Sequence, residues 1–114
     1  MRNDIISCLD RLDTMDFVSA MLMAKEMEKY KAYSELFDIM YMFYRDVFCM
    51  RLFKDDRYVI QKDKIGLIEK KAKNLNEQTI AKRLDFIMDI KKKIRQNTAF
   101  RLSMEVLFMN LKES

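Results

Sequence analysis

The chain contains no proline and a single glycine, Gly66, in 114 residues. Proline breaks helices and glycine supplies the backbone freedom of tight turns, so a chain nearly without either has few places to turn sharply. Long helices joined by short polar connections are the expected solution. Half of the residues are hydrophobic and 35% are charged, which suits a globular domain. A chain of this length is enough for one domain and not comfortably for two, so residues 1–114 are read as a single helical domain. Eleven methionines add adaptable, helix-compatible core filler.

The apolar spacing divides the chain into five or six helices. Residues 2–12 place Ile5, Ile6, Leu9 and Leu12 on one side. Asp13 or Thr14 is the expected N-cap of a second helix, Met15 to about Lys31, with Phe17, Val18, Met21, Leu22, Ala24 and Met27 as its apolar face. A third helix, from about Ser34 to Phe53, is apolar nearly all round and belongs in the middle of a bundle. Lys54-Asp55-Asp56-Arg57 reads as a polar turn, and residues 58–75 hold only a short helix around Ile65, Leu67, Ile68 and Ala72. Asn76 caps a long helix whose positions Ile80, Leu84, Ile87, Ile90 and Ile94 follow the 3.6-residue period. Asn97 is expected to end it and to begin the last helix, which runs to Leu111 and is again apolar around most of its circumference. No stretch shows the strict alternation of a half-buried strand.

The chemistry is limited by what is missing. There is no histidine, the commonest general base and metal ligand, and one glycine cannot build a phosphate-binding loop. Cys8 and Cys49 alone cannot make a four-ligand zinc site and are expected to be reduced thiols. No catalytic residue, metal or cofactor is therefore expected. Asp4 and Asp10 interrupt any N-terminal signal sequence, and the longest apolar segment is too short to span a bilayer. Charge is unevenly placed: residues 1–61 carry nine cations and eleven anions, whereas residues 62–95 carry eleven cations and five anions. A basic segment can hold phosphates. Here acids interleave with the bases and no aromatic platform accompanies them, so the solvated side of amphipathic helices is the favoured reading.

Two features stand out. Arg45 and Asp46 sit inside the most apolar helix, either as a satisfied pair within the domain or as an ionic contact across a subunit interface. The last helix has more apolar surface than one core needs. Either it lies at the centre of the bundle, or it packs on its own domain and on a second protein.

The order of these motifs resembles a known family. Phe43-Tyr44-Arg45-Asp46 is followed by an apolar run, an irregular linker, a basic amphipathic helix ending at Asn97, and then Asn97, Leu102 and Glu105 in an Asn-x-x-x-x-Leu-x-x-Glu pattern. From about residue 14 to residue 112 this is similar to the C-terminal domain of the delta-prime subunit of bacterial DNA polymerase III. The family usually has a second Asn where this chain has Ala99, and often Trp where it has Phe43. The related tau/gamma subunit carries a comparable helical domain.

The resemblance implies an all-α bundle of five to six helices, collar-like, and part of a longer clamp-loader subunit in the bacterial cytoplasm. It implies an accessory, non-catalytic part of the DNA polymerase III holoenzyme, a nucleotidyltransferase. Its partners would be other clamp-loader subunits (tau/gamma and delta) met through the collar. DNA would be contacted only indirectly, and neither a membrane nor a small-molecule substrate is implied. Alternatives are the collar domain of the tau/gamma subunit, a basic helical module that binds nucleic acid and a helical adaptor. The candidate interface residues are Tyr44, Arg45, Asp46, Phe100, Arg101, Glu105, Leu107, Phe108 and Leu111. Some of Phe100, Leu107, Phe108 and Leu111 are expected to be exposed in the isolated domain.

Overall fold

The computed structural model describes residues 1–95 and 99–114; the expected helix boundary at Asn97 lies outside the described residues. Among the described residues six α-helices are formed: α1 (Arg2–Leu12), α2 (Phe17–Glu26), α3 (Glu35–Phe53), α4 (Ile65–Asn74), α5 (Glu77–Arg95) and α6 (Phe100–Glu113). Short 3₁₀ turns at Met27–Tyr30 and Lys62–Lys64 follow α2 and precede α4. No strand is present among the described residues. The all-helical fold expected from the sequence is the one observed.

Local chemistry explains most of the boundaries. Asp16 caps α2, its carboxylate accepting from the Ser19 amide at 2.7 Å. The expected caps are used otherwise: Thr14 donates back to the Arg11 carbonyl, and Asp13 is turned inward. Asn76 caps α5 as expected, accepting from the Thr79 amide at 2.8 Å. Helix α3 stops at Lys54, which adopts the left-handed conformation with φ 57° and donates its amide to the Met50 carbonyl. Glycine is the usual residue there, because a Cβ costs roughly 1–2 kcal/mol in that region.

The helices pack in the order α4, α3, α5, α6, α2, with α1 touching both α3 and α6. Helix α3 therefore has neighbours on several sides and buries Leu36, Phe37, Met40, Phe43, Tyr44, Val47 and Met50. Helix α5 buries Ile80, Ile87 and Ile90, the expected stripe, with Leu84 and Ile94 at its margins. Cys8 is fully buried in α1, and desolvation pushes its thiol up to about 12. Cys49 is partly exposed, and the two thiols are free.

A buried polar network ties the elements together. The Arg83 guanidinium of α5 donates to the Tyr44 hydroxyl at 3.1 Å and to the Ser114 hydroxyl at 2.9 Å, and pairs with Asp13 at 2.8 Å. Lys71 of α4 pairs with the other Asp13 oxygen and donates to the Asp10 carbonyl at 2.9 Å. Burial disfavours the charged form of Asp13, but the hydrogen bonds from Arg83 and Lys71 outweigh it and hold the carboxyl below its ordinary range. Burial likewise pushes the Tyr44 phenol up to about 12.

Candidate subunit interface

The last helix has one face that its own domain leaves uncovered. Ser103, Met104, Leu107, Phe108 and Leu111 are buried, whereas Leu102 and Val106 are 60% and 39% exposed. With the partly exposed Met109 they fall at i, i+4 and i+7, a single stripe along the helix. The sequence expectation is corrected in its residues. Leu107, Phe108 and Leu111 are core, because they lie on the face of α6 turned into the bundle, and only Phe100 among the four keeps some surface.

A second exposed strip lies on the helix packed against α6. Helix α2 buries Ala20 and Ala24, and leaves Phe17, Val18 and Leu22 each more than half exposed. These three were expected in the core. The alanines take that place because short side chains let two helices approach closely, which leaves the bulky face outside. Arg101 at the start of α6 lies 3.8 Å from Glu28 just beyond α2, while Lys112 at its end donates to the Leu12 carbonyl at 3.1 Å. The two helices thus run antiparallel, and both carry uncovered apolar side chains. Arg101 and Glu105 pair at 3.3 Å on this same helix surface.

The Phe43-Tyr44-Arg45-Asp46 string works inside the domain. Tyr44 and Asp46 are fully buried. The Asp46 carboxylate accepts from the Ile60 and Gln61 amides, each at 3.0 Å, and from Arg45 at 3.0 Å. Arg45 also donates to the Tyr58 carbonyl at 2.9 Å. Of the two readings of this charged pair, the structure makes the intramolecular contact. Its purpose is to fix the loop between α3 and α4, and sequence alone gives no sign of that, since the partners are backbone groups 14 and 15 residues away.

Six of the eleven cations of residues 62–95, Lys70 at 3.9 Å from Asp10 among them, have a partner among the described residues. Lys71 and Arg83 are buried, Lys91 pairs with Asp38 at 2.6 Å, Lys93 pairs with Asp89 at 3.0 Å, and Lys62 donates to the Asp56 carbonyl. Among the described residues no group of three or more His, Cys, Asp or Glu side chains is placed to hold a metal ion. Among them, too, no helix is long and apolar enough to cross a membrane.

Fold and surface together define an all-helical bundle with apolar faces left unpaired. Residues 1–111 match the family described as DNA polymerase III, delta subunit, C terminal, and the chain belongs to that family. It is thus an accessory domain of the clamp-loading machinery, whose interactions are with other components of that assembly. No curated protein and no solved structure gives a significant match.

Proposed function

We propose that this domain is a collar segment of a delta-prime-type subunit, joining neighbouring clamp-loader subunits of the tau/gamma and delta kinds. The observation that carries the reading is the uncovered apolar surface of α6 and α2: Leu102, Val106 and Met109 on one helix, Phe17, Val18 and Leu22 on the other. Solvent-facing apolar side chains at helical spacing on two packed helices are the form an interhelical contact takes. Phe100, Arg101 and Glu105 border the strip, and the charged pair would set register there. Leu107, Phe108 and Leu111 support it from beneath, and Tyr44, Arg45 and Asp46 act through the domain's internal order. A stable contact of this kind buries roughly 800 Å² on each partner.

The test is co-elution of this chain with the helical domains of tau/gamma and of delta. A complex at micromolar concentration is expected with at least one of them, and Leu102→Asp with Val106→Asp should abolish it while leaving the thermal melt unchanged. Binding that survives this double substitution would overturn the assignment of the strip. Absence of any complex, also when the subunits are present as a full assembly, would overturn the collar reading itself.

A further inference from the structure

The loop between α3 and α4 is held from inside and presents apolar side chains outside. Val59 and Gln61 point inward and are buried, while Tyr58 and Ile60, alternating with them, are exposed. Phe53, at the end of α3, packs against Tyr58 with ring centroids 4.6 Å apart and the planes tilted by 47°, and Phe53 and Ile60 are each more than half exposed. The fully buried Asp46 carboxylate fixes this arrangement through the Ile60 and Gln61 amides, and Arg45 holds the Tyr58 carbonyl. Burying a carboxylate carries a desolvation cost of several kcal/mol before its hydrogen bonds offset it. Here those bonds order a loop whose outer face is apolar and aromatic. A surface ordered in advance binds without first losing its own freedom.

At the same end of α3, with Lys54, the residue after Phe53, on its edge, is a groove of about 280 Å³, lined by Met50 and Ala72 and edged by Arg51, Lys54, Lys73 and Glu69. That volume lies at the small end of ligand sites, enough for one large side chain or a short segment. The groove's charged groups are Arg51, Lys54 and Lys73 against Glu69, a net of +2, while the loop beyond it is balanced, with Arg57, Lys62 and Lys64 against Asp55, Asp56 and Asp63. Lys54 occupies its left-handed position, where glycine would be unstrained, and places a cation at the groove's edge. A residue kept in a strained conformation is a pointer to function.

We infer that this patch is a docking site for an acidic segment of a partner protein with an aromatic or aliphatic anchor. The anchor enters the groove over Met50 and Ala72, the segment's carboxylates meet Lys54 and Lys73, and Phe53 with Tyr58 extends the apolar surface beyond the groove at the end of α3. The patch lies on elements remote in packing order from the α2 and α6 strip, so the two sites stand or fall separately.

The probe is a fluorescein-labelled peptide, Glu-Asp-Phe-Asp-Glu-Leu-Phe, with a control in which every acid is replaced by lysine. Fluorescence anisotropy on the full chain is expected to detect the acidic peptide and not the control. Amide chemical shifts should move at Phe53, Lys54, Tyr58, Ile60 and Lys73. Lys54→Glu with Lys73→Glu should weaken binding ~10-fold, through two reversed surface charges. Tyr58→Ala should weaken it as well, and both variants carry exposed substitutions that leave the melt in place. No binding at millimolar peptide, equal binding of the lysine control, or shifts confined to α2 and α6 would overturn the proposal. A DNA duplex that moves the same amides and displaces the peptide would replace it with a nucleic-acid site.

Discussion

Helices α3 and α6 look alike in sequence and behave differently in the fold. Each is apolar around most of its circumference. In α3 the apolar groups are taken up by α1, α4 and α5, and its exposed members, Leu52 and Phe53, lie only at its end. In α6, packed on α2, α5 and α1, the stripe through Leu102 and Val106 is only partly covered. An apolar circumference therefore reports only that a helix has many partners. Whether those partners are in the same chain depends on how many helices the chain supplies around it.

Substitutions can separate the two cases. Phe43→Ala in α3 and Phe108→Ala in α6 each empty a fully buried ring site and are expected to cost about 3–5 kcal/mol in urea unfolding. Leu102→Ala on the same α6 should stay within about 0.5 kcal/mol. A large cost at Leu102 would erase the contrast. Asp46→Asn leaves one oxygen for four donors, the Ile60 and Gln61 amides, the Gln61 side chain and Arg45, and turns an amide toward backbone N–H groups. It should cost about 2 kcal/mol and speed hydrogen exchange at the Ile60 and Gln61 amides. If those amides remain protected, the loop is held by Val59 instead.

The Asp13 network, which reaches α3 through Tyr44, gives a pH signature. Its folded pKa lies below the unfolded value near 3.8, so its stabilisation is complete above that value and is lost as pH falls through the folded pKa. The melting temperature should drop on acidification below about pH 4, and Asp13→Asn should flatten that limb while lowering stability at neutral pH. The smallest change concerns the end of α3: Lys54→Gly should stabilise by up to about 1 kcal/mol, by relieving the left-handed strain at some entropic cost.

Legibility in the sequence followed the range of the interactions. The one-sided stripe Ile80, Ile87 and Ile90 and the cap at Asn76 are local, and both were readable from spacing. Of the apolar positions expected to face inward from the second helix, Ala24 and Met27 do so and Phe17, Val18 and Leu22 do not, because the close packing side is made by Ala20 and Ala24, and spacing does not tell a small apolar face from a bulky one. Arg83 lies on the buried face of an amphipathic helix, and its partners, Tyr44 of α3 and Asp13 just after α1, are distant in sequence, so nothing near it announces its burial. The docking loop was hidden for the same reason. Its aromatic face becomes visible only once Asp46, half a helix earlier, is seen to hold it.

Cys8 has a consequence of another kind. Its sulfur is sealed in the core and its thiol stays protonated far above neutral pH, whereas Cys49 has access to solvent. Thiolates, not thiols, react with alkylating agents. A maleimide should therefore modify Cys49 first and reach Cys8 only in molecules whose core has opened. The ratio of the two modifications counts opening events, so the chain carries its own clock for how often the α1 side of the bundle comes apart and how far a bound neighbour slows it.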